Sequence, residues 1–175
     1  FTLKIGQKLL MPGSIVTSPA TSSSKTTHTV SKSSSALHSR QTAAAQPSTR
    51  RSQKFIWPVK GQVISKFGPI AKGRNNDGIN IKVPKGTPVK AADSGTVAYA
   101  GNELKGFGNL ILIKHPDGWV TAYAHNDTLK VRKGQKVTKG TVISTVGNSG
   151  GVGTPQLHFE TRAGKKALNP QSYLQ

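Results

Sequence analysis

Short runs of β-branched and aliphatic residues, closed by Gly, Pro, Asn or Asp, dominate the chain from Phe55 onward. Examples are residues 95–99, 110–113 and 142–146, and helical periodicity is nearly absent between them. The segment 115–118 (His-Pro-Asp-Gly) separates two such runs and has the composition of a hairpin turn. The pattern therefore predicts an all-β fold, a small antiparallel sandwich or a partly closed barrel.

The composition changes abruptly near Phe55. Residues 14–54 contain 19 Ser or Thr among 41 positions, with no acidic and no aromatic residue. Such a segment buries too little apolar surface to offset its ordering entropy, so we expect a disordered linker. Residues 55–175 hold nine of the ten aromatic residues and all six acidic residues, which indicates one folded domain.

The charge balance points to anionic partners. The chain has 25 Lys and Arg against 6 Asp and Glu, a formal net charge of +19. Scattered basic residues without a recognisable motif argue against nucleic acid. The absence of cysteine excludes disulfides, thiolate metal sites and cysteine nucleophiles, and no apolar run is long enough to span a membrane. Because the chain begins with Phe1 and its only methionine is Met11, we expect that any targeting segment has been lost.

Three stretches combine polar side chains with a strand pattern. In residues 156–160, alternation places Gln156 and His158 on one face, and the apolar residues between them on the core side. In the second stretch, residues 76–80, Asn80 lies between two isoleucines and points away from them in the same manner. The third stretch, residues 123–125, ends in His125. We therefore predict a shared polar groove lined by Asn80, Gln156, His158 and His125.

At these residues the sequence resembles the lysostaphin-like (LytM) zinc endopeptidase domain of peptidoglycan hydrolases, over residues 56–174. The resemblance rests on many short motifs rather than on one. They are Trp57-Pro58, Gly78-Ile79-Asn80-Ile81, Gly86-Thr87-Pro88-Val89, Gly95-Thr96-Val97, Gly106-Phe107-Gly108-Asn109, Tyr123-Ala124-His125, Gly134-Gln135-Lys136-Val137 and Leu157-His158-Phe159-Glu160.

The resemblance also assigns roles to positions. In active members, zinc is held by the His and Asp of an H-x-x-x-D motif and by the last His of an H-x-H motif, with two further histidines assisting catalysis. The matching ligand positions here hold Asn76, Asn80 and His158, and the matching catalytic positions hold His125 and Gln156. Because a neutral amide is a poor zinc ligand, the resemblance implies a non-catalytic domain without a metal cofactor.

Plainer interpretations of the same residues remain open. His125 is also consistent with a hydrogen-bonded histidine at a strand end, and His158 with a satisfied polar residue. Asn76 and Asn80 are consistent with local hydrogen bonding to the backbone. The groove hypothesis is favoured because Asn76, Asn80 and Gln156, the three changed positions, all belong to one site while the surrounding motifs are retained.

This combination resembles the degenerate LytM proteins that act as murein hydrolase activators, and above all their NlpD-like branch. Residues 104–110 and 123–128 carry that likeness, and residues 3–12 are similar to the closing strand of a LysM peptidoglycan-binding module. The implied order is the end of a LysM-like module at 1–13, a linker at 14–54 and a degenerate LytM domain at 55–175.

The resemblance further implies that the groove binds a zinc-dependent N-acetylmuramoyl-L-alanine amidase and releases its autoinhibitory helix, so that septal peptidoglycan is cleaved. The expected location is the periplasm or outer membrane of a Gram-negative bacterium, with membrane contact only through a lipid anchor outside this sequence. Two alternatives stay open: a peptidoglycan-binding module without an activating role, and a zinc-dependent peptidoglycan endopeptidase with unusual ligands.

Overall fold

The computed structural model describes residues 54–175, except for the side chain of Lys72. The expected LysM-like end, and the expected linker up to residue 53, lie outside the described residues. Within residues 54–175, no helix is long and apolar enough to cross a membrane.

Twelve strands and two short 3-10 turns make up the described chain. The strands are β1 (Gln62–Ser65), β2 (Gly68–Ile70), β3 (Arg74–Asn76), β4 (Ile79–Lys82), β5 (Pro88–Lys90), β6 (Gly95–Gly101), β7 (Asn109–Lys114), β8 (Trp119–Leu129), β9 (Lys136–Val137), β10 (Val142–Val146), β11 (Gln156–Ala163) and β12 (Lys166–Leu168), and the 3-10 turns are Ala71–Gly73 and Pro170–Ser172. The predicted all-β class is confirmed.

Ten of these strands form one antiparallel sheet. Its main path runs β1-β4-β11-β8-β7-β6-β9, and β10, β5 and β12 pair off that path. The long β8 strand pairs with β7 and β11 along its first part and with β10 near its end. The remaining two strands, β2 and β3, pair with each other as a separate hairpin. The predicted hairpin between residues 110–114 and 119–125 is the β7-β8 pair.

The core lies on one face of this sheet because strand residues alternate between the two faces. On β11, Leu157 and Phe159 have no exposed surface, and Tyr123 on β8 packs against the Phe159 ring at a centroid distance of 5.4 Å. The intervening residues of β11 face the opposite side, where the predicted groove lies. The predicted division of residues 156–160 into two faces is therefore correct.

Phe55 closes the described unit by joining both of its ends. Its N–H donates to the carbonyl of Tyr173 at 2.8 Å, and its own carbonyl accepts from the N–H of Gln175 at 3.0 Å. Its ring has no exposed surface and lies 5.8 Å from the Trp119 ring. Because Phe55 belongs to the core, the packed part of the described chain begins at this residue.

Replacing Phe159 by Ala should cost about 3 to 5 kcal/mol of the free energy of unfolding, since a fully buried ring is removed and a cavity is left. Urea unfolding followed by circular dichroism measures this loss. Gln156→Arg on the opposite face of the same strand is the comparison and should cost less, about 1 to 3 kcal/mol, because it removes the bond between Gln156 and Asn80 but leaves no cavity in the apolar core. Equal losses in the two variants would contradict the assignment of the faces.

Candidate functional site

The predicted polar residues converge where β4 pairs with β11, and the side chain of Asn80 joins them. Asn80 lies directly opposite His158 in the register of the two strands. Its Nδ2 donates to Oε1 of Gln156 at 2.8 Å. Its Oδ1 accepts from Nδ2 of Asn76 at 3.2 Å and lies 3.0 Å from Nδ1 of His158. The predicted proximity of these residues is confirmed.

The outer ends of this network are also satisfied by the protein. Nδ2 of Asn76 donates to Oγ of Ser65 at 2.9 Å, and its Oδ1 accepts from the backbone N–H of Gly78 at 3.1 Å. Nε2 of Gln156 donates to the carbonyl of Thr154 at 3.3 Å. Each of the three amide side chains thus both donates and accepts, so the network is held without a ligand.

A chain of polar contacts and ion pairs continues from His158 along the same face of β11. Nε2 of His158 lies 3.0 Å from Oε1 of Glu160, and the other carboxylate oxygen accepts from Nε of Arg162 at 2.6 Å. Arg162 also reaches Asp77 at 3.3 Å. Burial opposes ionisation of Glu160, but the bonds from His158 and Arg162 outweigh it and lower the pKa of its carboxyl group. Glu160 therefore fixes the second ring nitrogen of His158.

His125 enters the site through an unusual backbone conformation. Alternation along β8 would turn residue 125 toward the core, but its φ is 63°, in the left-handed region. The ring consequently lies on the groove face, 6.1 Å from the His158 ring between centroids. Its Nδ1 contacts the carbonyl of Ser149 at 2.8 Å. Burial lowers the pKa of His125, while the Ser149 contact partly offsets that effect.

An apolar loop between β6 and β7 forms one wall of the site. Phe107 is 36% exposed, and its ring lies 6.4 Å from that of His158, while Leu104 is 47% exposed. The Phe107 carbonyl accepts from the backbone N–H of His125 at 2.9 Å. A cavity of about 320 Å³ adjoins this wall, lined by Asn102, Leu104, Lys105, Gly106, Gly108, Asn109, Ser149 and Gly150.

This apolar loop is held against the loop that follows β10. The N–H of Asn109 donates to Oγ of Ser149 at 3.0 Å, and that hydroxyl donates to the carbonyl of Asn126 at 2.6 Å. Gly108 and Gly150 meet so closely that a Cβ on either would collide with the other loop. The exposed side chains of Leu104 and Phe107 are therefore presented by a fixed backbone.

The donors at the metal-ligand positions do not fit a catalytic zinc. Two of the three are neutral amides engaged with each other, and both ring nitrogens of the third, His158, already have partners. Within residues 54–175, no group of three or more His, Cys, Asp or Glu side chains is placed to hold a metal ion. The site is thus a closed hydrogen-bond network of amide and histidine side chains.

The sequence prediction missed Glu160 and Arg162 as members of the site. The alternation of β11 could have indicated both, because every second residue of a strand faces the same side and residues 158, 160 and 162 therefore share a face. It also missed Ser65 and Ser149, which contact Asn76 and His125 from distant segments. No local pattern marks those two serines.

Fold and site together define an antiparallel β domain with a closed network of amide and histidine side chains on one face of its sheet. The chain belongs to Peptidase family M23, whose family model matches residues 74–170. All five site residues fall inside that match: Asn76, Asn80, His125, Gln156 and His158. The LytM resemblance stated from sequence is confirmed.

Two bacterial proteins illustrate the relationship. The chain is 39% identical over 178 residues to the uncharacterized lipoprotein YgeR of Escherichia coli, covering 99% of this chain and 67% of that protein. It is 49% identical over 118 residues to the murein hydrolase activator NlpD of Escherichia coli, covering 67% of this chain and 30% of NlpD. The chain thus spans only part of the curated relatives that it matches. Such relatives agree with the expected periplasmic or outer-membrane location.

Among solved structures, the catalytic domain of the antimicrobial peptidase lysostaphin from Staphylococcus simulans has the same fold. The two chains superpose with a TM-score of 0.58 at 29% identity, over 65% of this chain and 89% of the lysostaphin domain. The described fold is therefore that of an M23 peptidase domain.

Asn76→His combined with Asn80→Asp should create a zinc site, because it places an imidazole and a carboxylate at two positions whose side chains now lie 3.2 Å apart and beside His158. Metal analysis after dialysis should find about one zinc per chain in this variant and none that is stoichiometric in the unaltered chain. Bound zinc should also raise the melting temperature by mass action.

Two outcomes would count against this view of the site. One is tightly bound zinc in the unaltered chain that only a chelator removes. The other is a folded double variant that takes up no zinc, which would mean that these positions do not form a ligand set.

Proposed function

We propose that this protein is a non-catalytic activator of a peptidoglycan N-acetylmuramoyl-L-alanine amidase, and that it binds the amidase through the groove around His158. The observation that carries the proposal is the closed network of Asn76, Asn80 and Gln156 inside an M23 scaffold. A site without zinc ligands, but with fixed side chains and a fixed wall, suits binding better than hydrolysis.

The apolar wall supports a protein as the ligand. Leu104 and Phe107 are large, exposed and carried by one loop beside the site, and adjacent exposed apolar side chains rimmed by polar residues often mark a contact with a partner. Their loop is held by the bonds among Asn109, Ser149 and Asn126, so little ordering entropy would be lost on association. NlpD, whose name describes a murein hydrolase activator, supports the same role by its 49% identity.

The alternatives have weaker support. A zinc endopeptidase would require amide side chains to replace a histidine and a carboxylate, and these amides already have hydrogen-bond partners. A peptidoglycan-binding role is compatible with activation, because binding of peptidoglycan does not exclude binding of an amidase. Release of dye from labelled sacculi, first with the protein alone and then with a cognate amidase, separates these functions.

Gln156→Arg and Leu104→Glu should each reduce stimulation of the amidase by roughly tenfold or more, since each places a charge in a surface that would be desolvated on binding. Lys60→Gln, on an exposed residue outside the network of Asn76, Asn80, Gln156 and His158, is the control and should stimulate normally. Dye release with amidase measures stimulation, and thermal melts confirm that all three variants are folded. Normal stimulation by both groove variants would place the binding surface elsewhere.

The wider architecture belongs to the same proposal. We propose that residues 1–13 end a LysM-like module and that residues 14–54 link it to the LytM-type domain at 55–175. The burial of Phe55 supports the last boundary. A linker of this composition would let the domain reach amidases around a fixed attachment point.

Limited trypsin digestion should cut first within residues 25–54, which offer six Lys or Arg, and leave residues 55–175 as a resistant fragment. Mass spectrometry of the fragments over time locates the boundary. First cleavage inside the domain would show that the boundary is wrong.

A further inference from the structure

Two unpaired lysines lie side by side on the groove face of the sheet, far from the amide network. Lys114 on β7 is directly opposite Thr96 on β6, and Thr96 is opposite Lys136 on β9. Residues opposite each other in neighbouring strands project to the same face, so these three, which we name the lysine row, form one surface. All three are exposed. Since neighbouring strands are about 4.8 Å apart, the two lysine backbones are about 10 Å apart.

Basic residues outnumber acidic ones around the lysine row, although Asp93 and Asp117 lie within three positions of Thr96 and Lys114 along the chain. Within residues 54–175, neither Lys114 nor Lys136 has an ion-pair partner. Residues 130–139 contain five Lys or Arg, and no acidic residue occurs between Asp127 and Glu160. The nearby carboxylate of Asp117 accepts from the backbone N–H of Trp119 at 3.3 Å. The row is therefore an attractive site for anions.

A cavity of about 260 Å³ lies against the row. It is lined by Thr96 and Lys114, together with Gly95, His115 and Pro116. The Thr96 hydroxyl can donate or accept, the Lys114 ammonium can pair with a carboxylate, and the Pro116 ring offers a small apolar surface. This combination suits a carboxylate carried on a short peptide.

The lysine row and the amide network are separate places on one face. Lys114 lies opposite Val120 on β8, and Val120 lies opposite Arg162 on β11. Arg162 is four residues along β11 from His158. Four strand residues span about 14 Å, so a ligand on the row would leave the network accessible. Arg162 itself is engaged by Glu160 and Asp77 and adds little to the row.

We propose that the lysine row binds the free carboxylates of peptidoglycan stem peptides. One face of the sheet would then hold peptidoglycan at the lysine row and the amidase at the groove. The choice of peptidoglycan as the ligand rests on the proposed function. The assignment of the lysine row as an anion site does not. The lysines of the row favour a hydrated polyanion over a packed protein interface, because lysine is depleted in such interfaces. The row has no exposed aromatic side chain, which argues against single-stranded nucleic acid, where aromatic stacking is expected.

The test compares Lys114→Glu/Lys136→Glu with Lys60→Glu/Lys90→Glu in the whole chain. Both pairs reverse two exposed lysine charges, so the net charge is matched. Cosedimentation with purified sacculi should show affinity reduced roughly tenfold at low salt for the row variant, and much less for the control. Sacculi whose carboxylates have been converted to amides should bind the row variant and the unaltered chain equally.

Several results would overturn the proposal. One is an equal loss of affinity for sacculi in the two variants, which would indicate an effect of net charge alone. Another is no loss of affinity in either variant. The third is that the row variant and the unaltered chain still differ in affinity on amidated sacculi as much as on untreated ones. A row variant that loses binding to phosphatidylglycerol vesicles or to an oligonucleotide, while keeping its affinity for sacculi, would assign the row to another anion.

Amidase binding, measured in solution without sacculi, keeps the two proposals apart. It should be unchanged in the row variant. If the unaltered chain fails to bind any amidase, the proposed activation is wrong, while the comparison on sacculi still decides the role of the lysine row.

Discussion

The pairing of β11 between β4 and β8 is the constraint on which both the core and the candidate site depend. The register fixes Leu157 and Phe159 against the apolar residues of those strands, and it fixes His158 opposite Asn80 on the other face. A shift by one residue would turn the polar set into the apolar core and the apolar set toward the polar network, which is energetically prohibitive. Core packing therefore holds the site residues in place, and the site needs no ligand to be ordered.

The chemistry of the site follows from hydrogen bonds among its amide and histidine side chains. In a metal site, ligands are oriented by the ion and by the groups behind them. Here Glu160 contacts one ring nitrogen of His158, and Oδ1 of Asn80 lies 3.0 Å from the other. Buried amides are costly unless they are paired, and Asn76, Asn80 and Gln156 pair with one another. The result is a fixed polar floor beside an apolar wall.

The groove face thus carries three distinct surfaces: the amide network, the apolar wall of Leu104 and Phe107, and the lysine row. They differ in how they would bind. The wall offers apolar area that becomes dry on contact, whereas the row offers charge that stays hydrated and responds to salt. A protein partner and the polyanionic peptidoglycan could therefore be held on one face without competing for the same side chains.

The sequence by itself determined the strand class, the β7-β8 hairpin and the two faces of β11, because turn residues and alternation are local properties. It also placed Asn80, Gln156 and His158 on one polar surface. Only the tertiary structure decided how His125 joins them, since its φ of 63° reverses the alternation of β8 and is held by Ser149 and Phe107. The lysine row likewise joins residues from β6, β7 and β9, and cross-strand register depends on long-range pairing that no local pattern records.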